Sequence, residues 1–120
     1  MRERVRPPDD ITPLDFFTRW LPESVAADAE RRARIEDTDA TLVFVLAGDE
    51  GGTFTVRLEA GVVRGAAGRD GEPDLEIRVD LATWRSLNRG DLSAPEALAR
   101  RRLELTGDLL LALKLHLILG

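Results

Sequence analysis

The spacing of apolar residues changes along the chain and divides it into helical and strand-like segments. Residues 1–11 contain adjacent prolines and adjacent aspartates, which predict a flexible leader. Thr12 is typical of a helix N-cap, and apolar residues at helical spacing follow it as far as Leu21. Pro22 is expected to end this helix or to begin a second one, which the pattern places over residues 23–34.

The middle of the chain changes from a period of 3.6 to a period of two. Apolar and polar residues alternate over residues 53–59, 74–80 and 101–106, which predicts three strands. Residues 41–46 form a further predicted strand that is apolar on both faces, residues 62–66 a weaker one, and glycine-containing turns separate the first three segments. The charged alternates indicate an antiparallel sheet with one face in water and the other covered. Helices predicted over residues 81–88, 94–100 and 108–119 supply the cover. The expected fold class is therefore α+β.

The C-terminal helix carries more leucine than one buried stripe can use. Leu110, Leu113 and Leu117 form a stripe that is expected to face the sheet, and further leucines remain on the other sides. Each exposed leucine forgoes about 1.5–3 kcal/mol of transfer free energy, against a total stability of about 5–15 kcal/mol for a small domain. The second face could pack on aromatic residues of the first helix, line a cavity for an apolar ligand, or form a dimer interface.

Composition and charge exclude several function classes. The net charge of -5, without a basic stripe, argues against a nucleic-acid partner. The chain has no cysteine and one histidine, His116, which argues against a metal site, a cofactor or a catalytic triad. The charged N-terminus is unlike a signal peptide, and the longest apolar run is too short for stable membrane insertion. A soluble cytoplasmic protein is expected.

Three strings, taken in order, resemble the sterol-carrier-protein-2 (SCP-2) family. Residues 44–58 look like that family's opening hairpin, and residues 73–92 are similar to its alternating strand followed by a helix that ends in a glycine turn. Residues 103–115 resemble its last strand, Gly-Asp turn and terminal helix. The resemblance covers roughly residues 12–119. It suggests an SCP-2-like lipid-binding domain over residues 12–120, of the bacterial single-domain type.

The resemblance implies a five-stranded, mainly antiparallel sheet with helices over one face and an apolar tunnel between them. Its ligand would be a fatty acid, an acyl-CoA or a sterol-like molecule, bound or transferred without catalysis. The residues expected to line the tunnel are Phe44, Phe54, Val56, Leu75, Ile77, Trp84, Leu87, Leu103, Leu105, Leu110, Leu113 and Leu117. Two alternatives stay open: a protein-interaction module or homodimer that uses the surplus apolar helix face, and an enzyme with an apolar pocket, for which the sequence offers no acid–base pair.

Overall fold

A computed structural model describes the backbone of residues 6–119 and the side chains of residues 6–114. Within that range the chain forms one five-stranded sheet with the order β3-β2-β1-β4-β5. Its strands are β1 (Ala40–Ala47), β2 (Gly52–Glu59), β3 (Val62–Ala67), β4 (Leu75–Asp80) and β5 (Leu103–Gly107). The neighbouring strands are antiparallel except for β1 and β4, which run parallel. The predicted α+β class and the mainly antiparallel sheet are confirmed.

The parallel pair follows from the route of the chain after β3. This strand lies at one edge of the sheet, and residues 68–74 carry the chain to the far side of β1. Asp74 then joins the start of β4 to the start of β1, because its N–H donates to the Thr41 carbonyl and its carboxylate accepts from the Thr41 N–H, both at 2.8 Å. The charged alternates of β4 led to the expectation of antiparallel neighbours, but they show only that one face of this strand is in water, so they did not reveal the parallel pairing.

The N-terminal helical cover is continuous through residues 13–26, and Pro22 stands in the first turn of its last α-helical part, so the second of the two expectations for this proline is confirmed. It consists of α1 (Pro13–Asp15), a π-helical turn (Phe16–Trp20) and α2 (Leu21–Ala26). In the wider π turn the Leu21 N–H bonds to the carbonyl of Phe16, five residues back. This π turn lies directly before Pro22. Proline has no N–H to donate, and in a regular α-helix its ring would clash with the preceding turn, so the wider turn accommodates it.

The remaining helices are α3 (Ala29–Ile35), α4 (Leu81–Arg89), α5 (Ala94–Ala99) and α6 (Leu109–Leu119). The helix predicted over residues 23–34 is thus divided, because the Asp28 carboxylate caps a new helix by accepting from the N–H groups of Glu30 and Arg31. Helix α4 ends as expected at Gly90, which adopts φ of 82°. Helices cover the inner face of the sheet, where the buried apolar residues form one core.

Residues 6–11, part of the predicted leader, lie beside α4 without forming a helix or strand of their own. The Arg85 guanidinium donates from Nη1 to the carbonyls of Asp9 and Ile11 at 3.1 and 3.0 Å. Ile11 packs against the core, and Pro7 is buried. This segment therefore has defined contacts as far back as the structure describes it.

The phase of α6 differs from the predicted one. Leu111 is buried, whereas Leu110 and Leu113, expected to face the sheet, are 79% and 57% exposed. The helix start is fixed by Asp108, whose carboxylate accepts from the Leu111 N–H at 3.1 Å. Because nearly every residue of α6 is apolar, the sequence contains no polar face that marks the solvent side, and the cap and the turn out of β5 set the rotation instead.

Candidate apolar ligand site

The space between the sheet and its helical cover is centred on the ring of Phe17. This side chain is fully buried, with 0% of its surface exposed. Its ring centroid lies 4.8 Å from that of Phe44, 4.9 Å from that of Phe54 and 6.1 Å from that of Trp84. The π-helical turn, two central strands and α4 therefore meet at one aromatic contact, and such contacts add stability beyond the burial of their area.

Phe16 and Trp20 extend this contact toward α4. Their rings stack at a centroid distance of 5.3 Å, and Phe16 meets Trp84 edge to face at 5.2 Å. We call the six rings the aromatic cluster: Phe16, Phe17, Trp20, Phe44, Phe54 and Trp84. The cluster occupies the place at which the resemblance implies a tunnel.

Gly65 allows the cover to lie directly on β3. A Cβ atom on Gly65 would stand only 1.8 Å from the carbonyl oxygen of Phe17. No side chain can be accommodated there unless the cover moves away from the strand. The glycine therefore determines how closely the N-terminal cover seals the inner face.

Beside the aromatic cluster lies a small apolar void of about 20 Å³. It is lined by Leu21, Ile35, Leu42, Phe44, Val56, Leu58 and Val63, so α2 and α3 form one side and the first three strands the other. A void of this size has room for about one water molecule, and the seven side chains named above offer such a molecule no polar partner. Within residues 6–114 this void and the aromatic rings beside it lie where the resemblance implies a tunnel.

Most of the predicted wall residues come together on the inner face. Nine of them belong to the core or pack against it: Phe44, Phe54, Val56, Leu75, Ile77, Trp84, Leu87, Leu103 and Leu105. Leu110 and Leu113 lie on the exposed side of α6. The side chain of Leu117 lies outside the described residues, as does that of His116.

Leu21 of the N-terminal cover lines the void, although the sequence pattern did not assign it to the wall. Phe17, Leu21 and Val25 are all buried on one side of the cover. Their spacing of four residues was a usable signal, but the assumption of a break at Pro22 assigned Val25 to a separate, lightly packed helix.

Polar groups near this interior serve the backbone. The Asp80 carboxylate caps α4, accepting from the hydroxyl and the N–H of Thr83, and these hydrogen bonds lower the pKa of Asp80 although partial burial opposes the shift. Within the part of the chain that the structure describes, no three His, Cys, Asp or Glu side chains are grouped as a metal site would require. The arrangement can hold an apolar molecule if it opens, and the residues that line the void offer no acid, base or nucleophile.

No helix in the described part of the chain is both long enough and apolar enough to cross a bilayer.

Of the comparisons with known proteins, the family model identifies a family. A family model described as the SCP-2 sterol transfer family matches residues 17–120. A comparison with curated proteins found no match.

Solved structures with a similar fold include two sterol carrier proteins and one enzyme. Sterol carrier protein 2 from Yarrowia lipolytica, in its apo form, has a TM-score of 0.61 and 19% identity, over 82% of this chain and 80% of that one. Palmitated SCP2L2 from Aedes aegypti has a TM-score of 0.61 and 20% identity, over 82% and 93%. The inverting sec-alkylsulfatase Pisa1 from Pseudomonas sp. has a TM-score of 0.69 and 23% identity, over 92% and 16%, so this chain spans about a sixth of the enzyme's length.

Proposed function

The chain belongs to the SCP-2 sterol transfer family, as its sequence strings predicted, and we propose that it binds or transfers an apolar, lipid-like ligand without catalysis. The ligand class is a fatty acid, an acyl-CoA or a sterol-like molecule, held between the inner face of the sheet and the helices. A cytoplasmic location is part of the proposal.

The observation that carries the proposal is the apolar lining of the void beside the aromatic cluster. The seven described residues that line it are all apolar, and strands β1 to β3 contribute five of them. Burial of an alkyl chain against such a wall is favourable by roughly 0.8 kcal/mol for each methylene group. Among residues 6–114 the lining offers no hydrogen-bonding side chain that would select a polar substrate.

A void of about 20 Å³ cannot hold such a ligand, so binding requires that the cover move away from the sheet. We place the opening at the N-terminal cover and α3, because Leu21 and Ile35 close the void from the helical side. The free energy of opening is subtracted from the free energy of binding, and each 1.4 kcal/mol weakens the apparent affinity about tenfold.

The experiment is a titration of delipidated protein with palmitate, followed by native mass spectrometry and by tryptophan fluorescence. Trp84 is buried inside the aromatic cluster, so rearrangement of the cover is expected to change its emission. A saturable one-to-one complex with a parallel fluorescence change is expected. The proposal fails if long-chain fatty acids, acyl-CoA and sterols all leave both signals unchanged.

A matched pair of variants tests the location. Val56→Phe adds volume to the wall of the void, and we expect it to weaken palmitate binding at least tenfold. Val62→Phe makes the same change on β3 at a residue that is 49% exposed, and palmitate binding is expected to stay as in the unaltered protein. Equal affinities for the two variants would place the ligand elsewhere.

A second candidate function, protein association, is favoured by the exposed leucines of α6. Leu109, Leu110 and Leu113 all lie more than half exposed on this helix. A homodimer or a docked partner could cover them. Sedimentation velocity separates the candidates: a stable dimer that takes up no lipid favours association, and a monomer that binds palmitate favours the first proposal.

A further inference from the structure

The outer face of the sheet, opposite the aromatic cluster, carries an arginine-lined groove. The groove has a volume of about 190 Å³ and is lined by Thr55, Arg57, Arg64, Gly65, Ala66, Ala67, Gly68, Arg69 and Asp70. Thr55 and Ala66 face each other across β2 and β3 as one register pair of small residues. Because Arg57 and Arg64 form the next pair on the same face, the groove is a depression between this arginine pair and the loop that carries Arg69.

The arginine pair is electrostatically unfavourable as it stands. Arg57 and Arg64 are direct cross-strand partners, and like charges in that position destabilise a sheet. Arg57 shares its charge with the exposed carboxylates of Asp39 and Glu59. Arg64 is exposed, and among residues 6–114 no carboxylate lies within 4.0 Å of its guanidinium. A protein of net charge -5 thus maintains an unneutralised arginine opposite a second arginine.

Arg69, the third arginine, is held at the rim of the groove by an ion pair and by the hydrogen bonds that anchor its loop. Arg69 donates to one oxygen of Glu76, and the other oxygen of that carboxylate accepts from Arg78 at 2.8 Å. The loop itself is tied to the sheet through Thr55, whose hydroxyl donates to the carbonyl of Gly68 at 2.7 Å and accepts from the Asp70 N–H at 3.2 Å. The groove therefore has a fixed wall, with the Asp70 carboxylate as the acidic group in its lining.

We propose that this groove binds a phosphate-bearing anion through Arg57, Arg64 and Arg69. Planar guanidinium groups donate paired hydrogen bonds that match phosphate oxygens. Arg64 has no carboxylate partner among residues 6–114, and Arg57 and Arg69 each have five N–H donors, more than their ion pairs use. A multiply charged anion would also remove the repulsion within the arginine pair. The sheet lies between this groove and the proposed lipid site. Anion binding in the groove can therefore be tested independently of lipid binding.

The test is a titration of the full chain with inorganic pyrophosphate at constant ionic strength, measured by calorimetry and by thermal unfolding. Constant ionic strength separates specific binding from general screening. Arg64→Gln removes the unpaired charge. Arg89→Gln is the matched control, since Arg89 is an arginine at the end of α4 that pairs with Asp91 at 3.0 Å, away from the groove.

Saturable binding to the unaltered protein is expected, with a dissociation constant that Arg64→Gln raises about tenfold or more and Arg89→Gln leaves unchanged. Without pyrophosphate, Arg64→Gln is expected to raise Tm by roughly 1–4 °C because it ends the like-charge pairing. Absence of saturable binding, or equal losses in the two variants, would overturn the proposal. A lower Tm for Arg64→Gln would also overturn it, because Arg64 would then be a structural residue.

Discussion

Replacement of Phe17 by alanine tests whether the aromatic cluster holds the cover on the sheet. Phe17 is 0% exposed and is enclosed by rings from β1, β2 and α4. The backbones that carry these rings are held by the sheet and by the α4 cap. The rings can therefore move only partly into the space that Phe17 leaves. Buried Phe→Ala changes cost about 3–5 kcal/mol, and limited collapse places this one toward the upper end.

The assay is equilibrium unfolding in urea, followed by far-ultraviolet circular dichroism. With an m-value of about 1.5 kcal/mol/M, a loss of about 4–5 kcal/mol lowers the midpoint by roughly 3 M. Leu14→Ala is the matched control, since Leu14 lies one turn earlier in the same cover but is 51% exposed. Its cost is expected to stay below about 1 kcal/mol.

The reasoning is refuted if Phe17→Ala and Leu14→Ala lower the midpoint by equal amounts, because the ring would then not be the centre of the core. The same variant also bears on ligand binding. If the proposed function holds, the space left by the ring adjoins the void beside Phe44, and added palmitate is expected to recover part of the lost midpoint. An alanine variant that loses stability and gains nothing from palmitate would confirm the packing role and contradict the proposed ligand position.

Three further predictions concern Gly65, the Asp80 cap and the exposed leucines of α6. Gly65→Ala is expected to cost about 1–3 kcal/mol in urea unfolding, because its Cβ would stand 1.8 Å from a carbonyl oxygen of the cover; an unchanged midpoint would show that the cover does not rest on β3. Hydrogen bonds from Thr83 lower the pKa of Asp80 in the folded state, so its stabilising contribution is complete above the unfolded pKa of about 4 and is lost as the pH falls through the lower folded value. Asp80→Asn should therefore reduce the loss of stability below about pH 4, and two parallel pH curves would contradict this. Leu110→Gln and Leu113→Gln, at exposed positions of α6, should each change the free energy of unfolding of the monomer by less than about 0.5 kcal/mol, whereas a loss above 2 kcal/mol would place these side chains in a core.

The sequence by itself determined the five strands and, for those that alternate, the side that is buried. Phe54, Val56 and Leu58 alternate with polar residues along β2, and all three are buried in the structure. The cap at Asp108 and the glycine at the end of α4 were also readable, because each acts within a few residues of its own position. Most of the predicted wall residues lie on the inner face, because the periodicity that assigns them to that side is likewise a local property of each element.

Only the tertiary structure decided how these elements meet. The parallel pairing of β1 with β4 depends on the Asp74–Thr41 hydrogen bonds, which join residues 33 positions apart. The continuation of the cover through Pro22 depends on a π turn, and the exposure of Leu110 depends on the rotation of a helix that is apolar on every side. The volume left beside Phe17 is likewise a property of several packed elements together. Periodicity along a chain shows which side of a helix or strand is buried. The volume of a void is the small difference between the space enclosed by several packed elements and the volume of the side chains that fill it. No single segment of the sequence therefore determines that volume.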